Sequence, residues 1–252
     1  MRFLFGIMLP FLGTALGAAA VYCMPRMRSV RVHGALAGFA AGVMTAASVW
    51  SLLIPAIEQS GGLGAFSFVP AAVGFWAGCL LLLGLDRWSE RIAAEDFSGV
   101  DGGTKKMLLA IVIHNIPEGI AVGVGFAGAL AGSPGISLAA AMALSFGIAV
   151  QNLPEGAIVS MPLHASGISR PRACLLGALS GAVEPLGAAL TLLCARIMTP
   201  VLPYLLSFAA GAMLIVVAQE LCPAIAKDKS GRAALLFSLG FTLMMALDVA
   251  LG

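Results

Sequence analysis

Apolar residues fill this chain in eight long runs separated by short polar breaks. The runs cover residues 3–23, 34–57, 66–86, 107–130, 136–162, 173–195, 201–223 and 233–251. Each is near the ~20 residues that a helix needs to cross the hydrocarbon core of a bilayer. The pattern predicts an all-α integral membrane protein of eight transmembrane helices, folded as a single transmembrane domain over residues 1–252. The fifth run is long and holds Pro154 and Pro162, which predicts a tilt or a break there. The one sizeable polar connection is 87–106, between the third and fourth spans. The first run is read as a retained helix rather than a signal peptide, since no small-x-small cleavage site stands out in it.

The charges orient these spans. Connections after the odd-numbered spans hold Arg26, Arg28, Arg31, Arg87, Arg91, Lys105, Lys106, Arg170, Arg172, Lys227, Lys229 and Arg232. The opposite side holds only Arg2 and Arg196. Twelve against two is a strong positive-inside signal. It places 87–106 in the cytoplasm and both termini on the periplasmic or external side, which requires an even number of spans.

Composition agrees with the pattern. The chain is 60% hydrophobic and 10% charged, where a soluble domain carries about a quarter charged residues. Its 31 glycines suit close helix contacts in a lipid bilayer. A net charge of +2 gives no reason to expect a nucleic-acid partner. No GxxxxGK[ST] segment occurs, so no nucleotide is expected. The five cysteines form no CxxC pair and read as small apolar fillers.

An internal echo runs through the spans. Phe39-Ala40-Ala41-Gly42 in span two recurs as Phe208-Ala209-Ala210-Gly211 in span seven, and Pro55-Ala56-Ile57 recurs as Pro223-Ala224-Ile225. The two spans enter the membrane from opposite sides. This predicts an inverted repeat of spans one to three against six to eight, with spans four and five between them, as in many secondary transporters.

The candidate chemistry lies in those central spans. His114-Asn115-Ile116-Pro117-Glu118-Gly119 and Gln151-Asn152-Leu153-Pro154-Glu155-Gly156 are half-matching segments. A carboxylate at mid-bilayer is expensive, and an ion or proton is the usual reason to keep one. Glu118 lies ~16 Å into its span at 1.5 Å per residue, close to the midplane. His114 and Glu118 are four residues apart and share a helix face, as do Gln151 and Glu155. Imidazole and carboxylate together suit zinc, iron or manganese. Pro117 and Pro154 each clash with the carbonyl four residues back, and such freed groups are tolerable where they line a cavity. Glu184, before Pro185 in span six, is a third buried carboxylate. Three carboxylates together repel one another, and a divalent cation removes that cost. The alternative is a polar network that only glues helices. Glu220, Asp248 and Asp86 read first as span-end residues that reach water, and Met44 alone reads as packing.

These segments resemble the signatures of the ZIP family of divalent metal transporters, and most of all its bacterial branch related to the GufA proteins. The resemblance covers the whole chain. It implies that Met44, His114, Glu118, Gln151 and Glu155 form a primary transport site. It also implies that Asn115, Asn152 and Glu184 form an adjacent second site, with Glu118 and Glu155 bridging the two. The neutral amide of Asn152 weakens that second site. Members often carry a histidine-rich loop between spans three and four, whereas 87–106 offers only Glu90, Glu95, Asp96 and Asp101. A homodimer is implied as well, as is alternating access in which spans one, four, five and six move as a bundle. No prosthetic cofactor is implied, because the metal is the cargo.

The expected activity is therefore uptake of a divalent transition metal, zinc first and then cadmium, iron or manganese, by a secondary transporter and not an enzyme. Rival readings are a metal-gated channel, metal efflux and an intramembrane metalloprotease. The last commonly uses HExxH, whose second histidine is absent from His114-Asn115-Ile116-Pro117-Glu118.

Overall fold

Helix runs through nearly the whole length of every apolar stretch. The computed structural model describes residues 2–23, 30–93, 102–194 and 201–251, which form eight helical rods and no strand among the described residues. The first rod is Arg2–Ala18, continued as Ala20–Cys23. The second joins Val30–Ala47, a π-helical segment Ser48–Leu53 and Ile54–Gln59. Phe68–Ala93, Gly102–Ala131 and Leu138–Ala165 are the third, fourth and fifth. The sixth is split into Arg170–Ser180 and Val183–Leu193. The seventh joins Leu202–Val216, a second π-helical segment Val217–Leu221 and Cys222–Ala226, and Arg232–Leu251 is the eighth.

Seven of the rods are long and apolar enough to cross a membrane. The fifth, Leu138–Ala165, is not in that set although it is 28 residues long. Polar side chains dilute it, and Ser145, Gln151, Asn152 and Ser160 are all buried in the protein. It packs on the first, second and fourth rods. Its polarity thus marks the inside of the bundle, where lipid does not reach.

Two expectations are corrected. Within the connection 87–106 the described residues, 87–93 and 102–106, are helical: the third rod runs on to Ala93 and the fourth begins at Gly102. Residues 87–93 contain neither glycine nor proline, so the polar stretch marks where the apolar run ends while the helix continues. Glu95, Asp96 and Asp101 lie outside the described residues, as do Arg26, Arg28 and Arg196 of the charge count. Of the tilt or break expected in the fifth span, the break is absent, since Pro154 and Pro162 sit inside one continuous helix. The break falls in the sixth rod, between Ser180 and Val183. Pro185 explains it, because its ring clashes with the carbonyl four residues back, at Gly181. The turn there tightens to three-residue hydrogen bonds, Gly181 N–H to Ala178 O and Ala182 N–H to Leu179 O, both 3.1 Å.

Packing repeats within the chain. The second rod lies along the eighth, and the seventh along the third. Gly42 sits against the Phe237 carbonyl and Gly240 against the Phe39 carbonyl. In the other half Gly211 sits against the Phe75 carbonyl and Gly78 against the Phe208 carbonyl. At each of these four glycines an added Cβ would land on backbone, so the helices touch main chain to main chain. The two π-helical segments recur at matching places, each beginning nine residues after the Phe of its Phe-Ala-Ala-Gly. The first rod packs on the fifth as the second half of the sixth packs on the fourth.

Candidate metal centre

The polar face of the fourth rod meets those of the fifth and sixth at the centre of the bundle. Gln151 donates from Nε2 to Glu118 Oε1 at 2.7 Å. Asn115 donates from Nδ2 to the Ser180 carbonyl at 2.9 Å. That carbonyl is free because the helix breaks there, and the Glu184 N–H turns instead to the Gly181 carbonyl at 3.0 Å. Asn152 donates from Nδ2 to the Pro10 carbonyl at 3.4 Å, and the Thr14 hydroxyl lies 2.9 Å from Glu184 Oε1. Gly119 lets the backbone of Glu184 close on the fourth rod.

Each amide is thus held by its nitrogen, which leaves its oxygen over. Among the described residues, eight buried side-chain polar atoms have no hydrogen-bond partner, and five of them are Asn115 Oδ1, Glu118 Oε2, Gln151 Oε1, Asn152 Oδ1 and Glu184 Oε2. A buried unpartnered acceptor costs about 1–3 kcal/mol. Five oxygens without a donor among them share one natural complement, a cation. Glu118 lies within reach of the charges of both Glu155 and Glu184.

His114 shares a cavity with Asn115 and Glu118 of that cluster and is held by two carboxylates. Its Nε2 lies 3.3 Å from Asp86 Oδ1 and its Nδ1 lies 3.3 Å from Glu220 Oε2. Each ring nitrogen faces one carboxyl group, so a metal taking either nitrogen displaces that contact. A cavity of about 60 Å³ is lined by His114, Asn115, Glu118, Glu155 and Glu220, with Ile111, Val216 and Leu221 among its apolar walls. Met44 is fully buried in the apolar core and does not line this cavity. Among the described residues no three His, Cys, Asp or Glu side chains close around one point. Amide oxygens carry the rest of the arrangement.

Comparison with known proteins gives the arrangement a family. The ZIP Zinc transporter model matches residues 104–248, which is more than half of the chain. Zinc transporter ZIP11 of Xenopus tropicalis is 36% identical, over 99% of this chain and 97% of its own length. The chain belongs to the ZIP zinc transporter family. Zinc transporter GufA of Myxococcus xanthus is 37% identical over 95% of this chain and 94% of its own, and zinc transporter ZIPB of Bordetella bronchiseptica 36% over 96% and 79%. The GufA-like resemblance read from the two central segments therefore holds.

The sequence missed several polar residues of this ZIP protein. Asp86 and Glu220, read as span-end residues that reach water, do so, with side chains 27% and 46% exposed, but they also sit against His114, which was not foreseen. Glu220 rides on the second π-helical segment, so a local change of helix pitch aims a residue that seemed to belong to the span end. Asp248, by contrast, is buried at 8% exposure and accepts from Ser51, on the first π-helical segment, at 2.5 Å. These two line a second, wider cavity of about 250 Å³ with Trp50 and Glu58. Thr14 was not singled out at all, and nothing local marked it in the sequence.

Proposed function

We propose that this chain takes up divalent transition metal ions, zinc foremost, across the bacterial cytoplasmic membrane. The supporting observation is the cluster of buried, unpartnered oxygens contributed by Asn115, Glu118, Gln151, Asn152 and Glu184. Its homologues are named zinc transporters. His114, Glu118, Gln151 and Glu155, with Met44, form the primary site. Asn115, Asn152 and Glu184 form the second, with Glu118 and Glu155 shared. His114 adds preference for borderline metals over Mg²⁺ and Ca²⁺, which favour all-oxygen shells. Asp86 and Glu220 extend the polar path past His114 toward the cytoplasmic end.

The eight rods act as eight spans with both termini outside the cytoplasm. The matched glycine contacts and paired π-helical segments support an inverted repeat of rods one to three against six to eight. Transport then proceeds by alternating access, rods one, four, five and six moving against the other four in a homodimer. The test is competition uptake in sided proteoliposomes with Zn²⁺, Cd²⁺, Fe²⁺ and Mn²⁺, for the native chain and for Glu118→Ala and Glu155→Ala. Saturable inward flux that both substitutions abolish, with folding retained, is expected. Undiminished flux in either variant overturns the assignment.

A further inference from the structure

The pairing of the repeats reaches into the metal centre and picks out a residue there with no assigned role. Glu118 and Glu155 are counterparts, as are Asn115 and Asn152, and His114 and Gln151. Gly119 receives the backbone of Glu184, and its counterpart Gly156 receives the backbone of Thr14. By that contact Thr14, on the first rod, is the counterpart of Glu184, on the sixth. The two meet directly: the Thr14 hydroxyl lies 2.9 Å from Glu184 Oε1. Thr14 is 2% exposed and Glu184 1%, so no water competes for the contact. Gly181, at the break in the sixth rod, makes room for it. A Cβ there would stand 2.8 Å from Thr14 Oγ1 and 2.9 Å from Glu184 Oε1.

We propose that Thr14 is a positioning residue of the second cation site, fixing the Glu184 carboxylate so that Oε2 faces the ion. This rests on the reading of the centre given above. A threonine hydroxyl has one proton and two acceptors in reach here, Glu184 Oε1 at 2.9 Å and the Pro10 carbonyl at 3.3 Å. The bond to the carboxylate is the shorter and is charge-assisted, so it holds the proton while Glu184 presents one oxygen. When an ion draws on both oxygens of Glu184, the hydroxyl turns to Pro10 and no donor is left stranded. The same Pro10 carbonyl also receives Asn152 Nδ2, so the first rod orients both the carboxylate and the amide of the second site. The first rod thereby reports on the loading of that site.

The test uses the purified full chain in lipid nanodiscs and ¹⁰⁹Cd²⁺ equilibrium dialysis, with zinc uptake by proteoliposomes alongside. The native chain is expected to bind two ions, one more weakly. Thr14→Val, which keeps the shape and removes the hydroxyl, weakens the second ion about tenfold or more and leaves the first within twofold, as loss of a charge-assisted hydrogen bond implies. Thr14→Ser restores the second ion to within twofold of native, which a purely packing role for the threonine methyl would not allow. Gly181→Ala reproduces the Thr14→Val loss by crowding the same contact. Equal second-ion affinity in Thr14→Val and the native chain overturns the proposal, as does a native chain that binds a single ion. Glu118→Ala is measured in parallel. If it loses both ions while Thr14→Val is unchanged, this inference alone fails, and if it keeps both, the reading of the centre fails first.

Discussion

Replacing Glu118 by glutamine separates a metal ligand from a helix-gluing side chain. Glu118 is 1% exposed, its Oε1 accepts 2.7 Å from Gln151 Nε2, and its Oε2 has no partner. A glutamine fits the same space, and its amide oxygen can keep the bond from Gln151. The shape and the inter-rod hydrogen bond survive while one negative charge is lost. Breaking a buried charge pairing by removing one partner costs about 3–5 kcal/mol. At about 1.4 kcal/mol per factor of ten, that weakens the bound ion by about 10²- to 10⁴-fold. Without metal the sign reverses, because Glu118 no longer repels Glu155 and Glu184, so Glu118→Gln is expected to melt no lower than the native chain. The two effects separate in one assay, thermal unfolding of purified protein with and without zinc. Zinc at a hundred times its Kd stabilises the native chain by about 2.7 kcal/mol. A variant whose Kd rises a hundredfold gains only about 0.4 kcal/mol at the same concentration. Zinc uptake by proteoliposomes falls in parallel. An unchanged zinc-induced shift together with native uptake would show that the carboxylate does not hold the cargo.

Three further outcomes follow from the same geometry. Asn115→Leu strands the Ser180 carbonyl at the break in the sixth rod, costing about 1–3 kcal/mol in chemical or thermal unfolding and lowering uptake. Gly42→Ala and Gly211→Ala, each driving a Cβ into a facing carbonyl, destabilise the protein by similar amounts of about 1–3 kcal/mol, while Gly84→Ala, with open space around it, changes little. Asp228 accepts from the Ser230 hydroxyl and from the N–H groups of Ser230 and Ala233, and these bonds hold its carboxyl below the usual aspartate value. A depressed carboxyl stabilises the fold above its unfolded-state value and loses that contribution as pH falls through the folded one. Asp228→Asn therefore melts lower than the native chain at pH 7, and the gap closes on acidification below the ordinary aspartate range.

Much of the architecture was legible because the bilayer imposes a simple code. Length and apolarity located all eight rods, and only the ends needed correction where helices such as Phe68–Ala93 ran past the apolar stretch. The buried polar residues were legible for the same reason, since Glu118, Gln151 and Asn152 are too costly to keep at mid-span without purpose. Local pitch and tertiary pairing were not. Prolines foretold a break but not which helix would yield: Pro154 lies inside a continuous helix, whereas Pro185 stands just past the gap after Ser180. The π-helical segments rotate Ser51 and Glu220 relative to an ideal helix. Pro55 and Pro223, two residues past each segment, clash with carbonyls inside them at Ser51 and Gln219, but a proline does not say whether a helix will break, bend or change pitch. Thr14 was invisible because an isolated threonine in an apolar helix normally bonds its own backbone. Its significance comes entirely from Glu184, 170 positions away.

The two halves match in backbone contacts and differ in chemistry, and that difference bears on how the centre works. Asp86 follows Gly78 by eight residues and Asp248 follows Gly240 by eight, so the two aspartates are counterparts on the third and eighth rods. The π-helical residues beside them are counterparts too, yet one is Ser51, which donates to Asp248, and the other is Glu220, which meets Asp86 only through His114 between them. On one side of the centre two carboxylates meet His114, and on the other Asp248 accepts from the Ser51 hydroxyl while Glu58 lines the same cavity. The same substitution of hydroxyl for carboxylate separates Thr14 from Glu184. A fully symmetric set would place additional negative charges in a buried space, where like charges repel strongly. Keeping one carboxylate of each such pair and replacing the other by a hydroxyl leaves fewer charges for a divalent ion to balance, and the hydroxyl serves as the donor that fixes the remaining carboxylate. The backbone symmetry leaves a cavity on either side, about 60 Å³ beside His114 and about 250 Å³ beside Asp248, and the unequal side chains give the two different linings.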